Sequence, residues 1–342
     1  MHLADELECI LSSRMAAFTE PKPARPRAIA VLCAALLTVI AGTTITAVVL
    51  THSLIGGLTV LPDVVDATAQ PESGALNVLL LGVDGSAPDD SWANRSTGVR
   101  SDTAMLVHVP ADRSSVQIVS LMRDTWVEVP GHGSAKLNAA FSWGGARLAV
   151  RTVENLLAVQ VDHVAVVDFA GLGEFADALG GVPVESPKAF RSRNMPGFSY
   201  KAGPNVLEGD RAVAFVRERY SFEDADFQRV RNQASFVRGA VDRLHEVATD
   251  LDLPKFVGVV QRLSSTAAVD AGLSPLAAAR IGWSLREVDG SAVSNTTLPT
   301  AGTATRQGQS VVMQDNDGVA RLTEAIRDDR VADFIRREGS ST

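Results

Sequence analysis

The chain has 342 residues, 46% of them hydrophobic and 21% charged, a globular composition long enough for one large domain or two smaller ones. A net charge of −8 and a pI near 5.3 give no basic face for nucleic acid, so no nucleic-acid partner is expected. Any anionic ligand must be held by a local cluster of cations.

Ala28–Leu50, "AIAVLCAALLTVIAGTTITAVVL", is an uncharged run of 23 residues, and a spanning helix needs roughly 20. Arg14, Lys22, Arg25 and Arg27 precede it, and no Lys or Arg follows until Arg95. The positive-inside rule therefore predicts a short cytoplasmic tail (1–27), a transmembrane helix (28–50) and an extracytoplasmic remainder in the cell membrane. The rival reading is a cleaved signal peptide, whose apolar core usually runs about 7–15 residues. Cys9 falls on the cytoplasmic side and Cys33 inside the span, so no disulfide framework is expected outside. Residues 51–72, with "PDVVDATAQPESG", read as a polar stalk.

The folded domain is expected over 73–335. "LNVLLLGVD" (76–84), "TAMLVHVP" (103–110), "SVQIVSLM" (115–122) and "DHVAVVDF" (162–169) read as strands, with helices over 145–158 and 169–179. The firmest element lies in "FQRVRNQASFVRGAVDRLHEVA", where Phe227, Val230, Ala234, Val237, Val241 and Leu244 recur at spacings of three and four, one buried helical face. Helices at 253–267 and 275–287 and late strands at 291–299 and 309–313 complete the pattern. Strands mixed with helices predict an α/β (α+β) layered domain, a mixed central β-sheet flanked by helices, preceded by one N-terminal transmembrane helix.

The connection "PADRSS" makes 103–110 and 115–122 a hairpin, which sets Arg123 beside Asp102. Asp84 ends the first strand, so antiparallel pairing with the hairpin would gather all three on one sheet edge. Two carboxylates beside an arginine suit Mg²⁺ held together with a phosphate; the plainer alternative is that Asp84 and Asp102 are turn and cap residues. In "FVRERYSFEDADFQRVRNQ" (215–233), an extended backbone would point Arg217 and Arg219 to one face with Phe215. Asp226, Arg229 and Gln233 sit at i, i+3 and i+7 of the strong helix, bordering its apolar stripe. Such a row of arginines can neutralise a pyrophosphate, or it can be an exposed helix start with ordinary ion pairs. Arg231, Glu218, Glu223 and Asp224 fall off these rows and read as solvated surface. No phosphate loop, nucleophile elbow or zinc motif is present.

Taken in order, "NVLLLGVD", "RSDTAMLV", "SLMRDTWVEVPG", "KLNAAFSWGG", "VENLL", "DALGGV", "LEGDRAVAFVRER" and "DFQRVRNQ" resemble the LytR-CpsA-Psr family of bacterial cell-wall proteins, from about Asn77 to Gln233. The resemblance implies a membrane-anchored, Mg²⁺-dependent phosphotransferase, with Mn²⁺ as the alternative ion. Such an enzyme moves an anionic glycopolymer from a polyprenyl-pyrophosphate carrier onto peptidoglycan through a phosphodiester. It implies Asp84 and Asp102 at the metal, and Arg123, Arg217, Arg219, Arg229 and Gln233 around the pyrophosphate with Lys136 nearby. Asp102, Arg123 and Asp226 would be catalytic, with Asp226 the candidate proton acceptor, and the polyprenyl chain would need an apolar tunnel under the sheet. Two positions depart from the family pattern: Ser86 replaces an arginine that follows the first aspartate, for which Arg95 or Arg100 would substitute, and "MRD" replaces "PRD" at Met122–Asp124. Two alternatives stand beside the transferase: a pyrophosphatase acting on the same lipid-linked glycan, and a non-catalytic cell-wall binding or regulatory protein.

Overall fold

The computed structural model describes residues 59–66, 74–84, 90–93, 99, 101–250, 258–259, 261–262 and 265–339. The tail, the Ala28–Leu50 run, Ser86, Arg95 and Arg100 lie outside the described residues. Among the described residues no helix is long and apolar enough to cross a membrane.

The chain first forms β1 (Thr59–Leu61), β2 (Leu76–Val83), β3 (Ser101–Val109) and β4 (Val116–Leu121), then a small hairpin of β5 (Trp126–Val129) and β6 (Gly133–Lys136) leading into helix α1 (Leu137–Leu157). Next come β7 (His163–Asp168), α2 (Phe169–Ala178), β8 (Val182–Ser186), β9 (Phe190–Arg191), β10 (Ser199–Tyr200) and β11 (Gly203–Leu207). Helices α3 (Gly209–Arg217) and α4 (Asp226–Thr249) follow. The chain closes with β12 (Ala267–Asp270), α5 (Pro275–Ser284), β13 (Val293–Thr297), β14 (Thr300–Arg306), β15 (Gln309–Gln314), α6 (Asn316–Arg327) and α7 (Val331–Gly339).

Seven strands form one mixed sheet in the order β1-β12-β7-β2-β3-β4-β13. Both faces of β2 are covered, which is why its sequence is an almost continuous apolar run rather than an alternating one. Leu79, Leu81 and Val83 join Leu106, Val119 and Val166 in a core closed by α1, α6 and α7. Leu76 and Leu80 face the other way, with Met105, Ile118 and Val293, under Val237 and Val241 of α4. A second core gathers α2, α3, β8, β11 and Phe236 of α4 around Phe215.

Several boundaries differ from expectation for local reasons. Helix α1 begins at Leu137, well before residue 145, because Ala140 and Phe141 already supply a buried face; the Gly144–Gly145 pair then kinks it. Gly145 has φ +63, and a Cβ there would lie 2.4 Å from the Trp92 carbonyl oxygen, so only glycine admits this close approach. Residues 265–266 are helical as expected, but Ala267, placed at a helix end by the sequence, opens strand β12. Thr59–Leu61, inside the stretch read as stalk, is a strand of the central sheet, and Leu61 is fully buried. The extended backbone expected through Phe215 and Arg217 is a helix, whose run Ala212–Val216 is buried whole in the second core.

Candidate functional site

The site forms where one edge of the sheet meets the α3–α4 corner. Val83 pairs with Ser101 and Ala104 with Leu121, so Asp84, Asp102 and Arg123 emerge on the same edge, as the hairpin argument expected. Asp102 accepts from Arg123 Nη1 at 2.7 Å. Asp84 instead holds Arg217, with Nη2–Oδ2 at 2.5 Å and Nη1–Oδ1 at 3.4 Å, a two-pronged pair.

Helix geometry brings Arg217 to this point. Residues i and i+2 of a helix face nearly opposite ways; Phe215 therefore sinks into the aromatic core, 5.3 Å from the Tyr200 ring, while Arg217 turns out over Phe169 at 5.6 Å. Arg219 lies one residue beyond the helix cap. The α4 helix is docked on this corner by Asn232, which donates to the Phe215 carbonyl, and by Gln233, which donates to the Val216 carbonyl at 3.3 Å.

Asp226 opens α4, where the helix dipole favours a carboxylate. It contacts three guanidinium groups: Arg229 Nη2 at 3.2 Å, Arg123 Nε at 3.3 Å and Arg219 Nη1 at 3.4 Å. The preceding residue, Ala225, sits at φ 39, ψ −99, a backbone state that costs an L-residue on the order of 1–3 kcal/mol and recurs at functional corners. Asp124 adds a fourth carboxylate, 3.0 Å from Lys136 Nζ. Five cations thus face four carboxylates, a local charge of about +1 in an acidic chain.

A cavity of about 110 Å³ opens among Asp102, Arg123, Arg217, Arg219, Arg229 and Gln233, with Phe169 and Asn194 completing the wall. Its two deepest cations are incompletely matched. Arg229 is 4% exposed, and burial pulls its pKa down, with Asp226 opposing the shift. Burial would also lower that of Arg123, but Asp102, Asp226 and Asp124 outweigh it and hold the guanidinium above its ordinary value. The buried Nε of each has no hydrogen-bond acceptor among the described residues, since the Arg123 contact to Asp226 is out of line for one.

The expected residues are thus gathered, with Asp84 and Asp226 behind the arginines and Lys136 joined through Asp124; Arg100 lies outside the described residues. Glu218 departs from expectation. It is fully buried and accepts from Ser192 Oγ at 2.6 Å and from the backbone N–H groups of Arg193, Asn194, Arg219 and Ser221. Burial pushes its pKa up, but these donors outweigh that and hold it below the ordinary value. Glu218 therefore ties the 192–194 loop to the arginine corner; Arg231 and Asp224, by contrast, form an exposed pair. Two site residues carried little sequence signal. Asp124 was visible only as the last letter of "MRD", and Asn194, whose Nδ2 donates to the Arg217 carbonyl at 3.4 Å, lies in an irregular loop with no periodicity.

Among the described residues no three His, Cys, Asp or Glu side chains converge on a ready-made metal cage. Mg²⁺ commonly takes only one or two protein carboxylates and completes its shell with water and phosphate oxygens. Asp84 and Asp102 on one edge fit an ion bound together with a phosphate. A larger surface depression of about 710 Å³, lined by Tyr200, Lys201 and Arg211 among others, has no carboxylate in its wall.

A family model described as the LytR-CpsA-Psr family matches residues 60–328. The chain is 36% identical over 169 residues to the polyisoprenyl-teichoic acid–peptidoglycan teichoic acid transferase TagU of Enterococcus faecalis, covering 49% of this chain and 53% of that one. It is 31% identical over 202 residues to the regulatory protein MsrR of Staphylococcus aureus, covering 58% of each. It therefore spans about half the length of the curated relatives it matches. Among solved structures, B. subtilis TagV superposes with a TM-score of 0.63 at 20% identity, over 76% of this chain and 98% of that one. B. subtilis TagT does so with 0.61 at 21%, over 80% and 99%. These share the mixed sheet and its flanking helices, and with the family model spanning nearly the whole described region, the chain belongs to the LytR-CpsA-Psr family.

Proposed function

We propose that the chain is a membrane-anchored phosphotransferase that moves an anionic glycopolymer from a polyprenyl-pyrophosphate carrier to peptidoglycan through a phosphodiester. One observation carries the reading: four guanidinium groups, on Arg123, Arg217, Arg219 and Arg229, line one small cavity of an acidic chain. Guanidinium forks gathered in this way suit the oxygens of a pyrophosphate, which they can meet with charge-assisted hydrogen bonds.

Phosphoryl transfer needs positioning and charge neutralisation more than covalent help from the protein. Arg123, Arg217, Arg219 and Arg229 hold the pyrophosphate, with Gln233 fixing the corner and Lys136 extending the positive rim. A sugar hydroxyl attacks the sugar-linked phosphorus, the bond to the polyprenyl phosphate breaks, and the arginines neutralise the departing phosphate. Asp102 lines the cavity and commits one oxygen to Arg123, whereas both oxygens of Asp226 are engaged by guanidinium groups. Asp226 is therefore the residue that aligns the arginines, and Asp102, released from Arg123 when a phosphate oxygen takes that guanidinium, has one oxygen for the ion and one to accept the hydroxyl proton. Mg²⁺, or Mn²⁺ in its place, would be held by Asp84 and Asp102 and would supply further neutralisation of the pyrophosphate.

The cations that precede the apolar run, and their absence after it until Arg95, support a location at the outer face of the cell membrane with the N-terminus cytoplasmic. Thr59 pairs with Ala268, Ala267 with Val167 and Val167 with Gly82, so the chain enters edge strand β1 at the same end of the sheet as the site, three strands away from β2. Residues 51–58 separate this point from the apolar run, and that length reaches at most about 26–29 Å.

The test is incubation of the full chain in detergent with a polyprenyl-pyrophosphate-linked glycan, peptidoglycan and Mg²⁺. Glycan joined to peptidoglycan, with release of polyprenyl phosphate, is expected, and Arg217→Ala and Asp102→Ala should abolish it. Polyprenyl phosphate released equally fast without peptidoglycan would instead mean a pyrophosphatase.

A further inference from the structure

The β5–β6 hairpin carries a feature that the pyrophosphate site does not use. Its cross-strand pairs are Trp126 with Lys136 and Glu128 with Ser134. Val127, Val129 and Ala135 are buried against α1, so the alternating positions Trp126, Glu128, Ser134 and Lys136 share the outer face. Lys136, at the site end, is bound to Asp124. Next along the face, the Ser134 hydroxyl donates to Glu128 Oε2 at 2.9 Å, on exposed residues. At the hairpin's far end the exposed His132 ring lies 5.1 Å from that of Trp143, tilted by 31°, and Trp143 is 43% exposed. This helix also borders the site: Ser142, beside Trp143, donates to the Val99 carbonyl, three residues before Asp102.

We propose that this face is a subsite for the neutral N-acetylated glycan strand that accepts the transferred polymer. The inference rests on the transferase reading and names where its acceptor lies. Positions 133–136, at about 3.3 Å each, place the His132 turn roughly 13 Å from Lys136, a track long enough for a short oligosaccharide that ends at the hairpin tip, where Trp143 of α1 meets the His132 ring. The track has the two components a sugar needs: flat aromatic surface for the apolar face of a pyranose, and planar or hydroxyl groups for its hydroxyl and acetamido groups. Charge selects this occupant over the anionic donor polymer. Between Trp126 and Ser134 the only charged side chain is Glu128, which would repel a row of phosphates.

The experiment uses the full chain in detergent and two probes, N-acetylglucosamine oligomers and geranylgeranyl pyrophosphate. The oligomers are expected to bind the parent, and Trp143→Ala to weaken them at least about 10-fold, as truncation of an aromatic hot spot does. Because His132 and Trp143 could merely fasten the hairpin to α1, a second variant, Glu128→Gln with Ser134→Ala, leaves both rings in place and should weaken the oligomers too. Neither variant should change pyrophosphate binding, and Arg229→Met should lose the pyrophosphate while keeping the oligomers. No oligomer binding to the parent, or equal binding in the parent and both variants, overturns the proposal, as does competition by poly(glycerol phosphate) at these residues. Loss of pyrophosphate binding in the parent counts against the transferase site alone.

Discussion

Replacing Arg229 with methionine should separate the stability of this protein from its ligand binding. The guanidinium is almost fully buried, and burial pulls its pKa down. Its contact to Asp226 is a single one at 3.2 Å, and its Nε has no acceptor among the described residues. Asp226 keeps Arg123 and Arg219 after the change, so no carboxylate is stranded. Methionine fills most of the volume and removes an unsatisfied donor worth about 1–3 kcal/mol, while one ion pair is lost. The net expectation is a gain of about 1 kcal/mol, seen as a Tm roughly 2–4 °C higher in a domain of this size. Affinity should move the other way: losing one charge-assisted contact costs about 1.5–3 kcal/mol, or roughly 10- to 150-fold in Kd. Thermal melts of the ligand-free chain and titration with geranylgeranyl pyrophosphate measure the two effects. A lower Tm with unchanged affinity would show that Arg229 is a structural residue and that the cavity is not an anion site.

Three further outcomes follow from the same geometry. Glu218→Gln removes the charge that gathers five donors and should cost about 1.5–3 kcal/mol by chemical denaturation; because the folded pKa of Glu218 is depressed, its stabilisation is present above the ordinary value and lost as pH falls through the folded one, so an unchanged midpoint at neutral pH would refute the account. His163 has a raised pKa, chiefly through its hydrogen bond to Asp270, with burial opposing; its contribution is full below the unfolded value near 6.5 and disappears as pH rises through the folded one, so the Tm gap between the parent and His163→Gln should be widest near pH 6 and close in alkali, and a gap constant with pH would count against the pair. Gly145→Ala meets both a positive φ and the Trp92 carbonyl, and should destabilise by about 1–3 kcal/mol or more; a melt like the parent's would mean that the 92–93 segment yields readily.

The parts of the fold legible in the sequence were those whose pattern is set locally. β2, β3, β4 and β7 carry enough consecutive apolar residues to declare themselves, α4 repeats its apolar positions every three or four residues, and the short β3–β4 connection fixed the pairing that set Arg123 beside Asp102. What escaped was set by tertiary packing. Thr59–Leu61 and Ala267–Asp270 are too short for any periodicity and are strands only because each finds its partner in the sheet. Residues 215–217 alternate as a strand would, but Phe215 is claimed by an aromatic core that Phe190, Tyr200 and Phe222 complete, and these lie in two-residue strands and a bend, too short for a pattern of their own. Glu218 looked like surface for the same reason: a carboxylate is buried only where donors converge, and its donors on 192–194 are remote in sequence. The arginines were found because a charged row stands out, whereas Asp124 and Asn194 gain meaning only from their neighbours.

The pairing of cations with carboxylates says how such a site can operate in an acidic protein. Five like charges this close would repel one another, and the four carboxylates remove that penalty without closing the cavity: Asp226 stands behind the arginines, Asp124 behind Lys136, and Asp84 is half-exposed on Arg217. An entering pyrophosphate therefore finds donors already oriented, and it competes most directly for Arg217 and Arg123, whose partners Asp84 and Asp102 lie at the sheet edge. Displacement of these two carboxylates by phosphate oxygens would leave them needing a cation. Anion and divalent ion should thus bind cooperatively, each supplying what the other displaces. The expected measurement is a Mg²⁺ affinity that rises when geranylgeranyl pyrophosphate is present, by more than Mg²⁺ binding to the pyrophosphate alone accounts for, and that loses this excess in Asp84→Asn. An excess that survives Asp84→Asn would place the ion elsewhere.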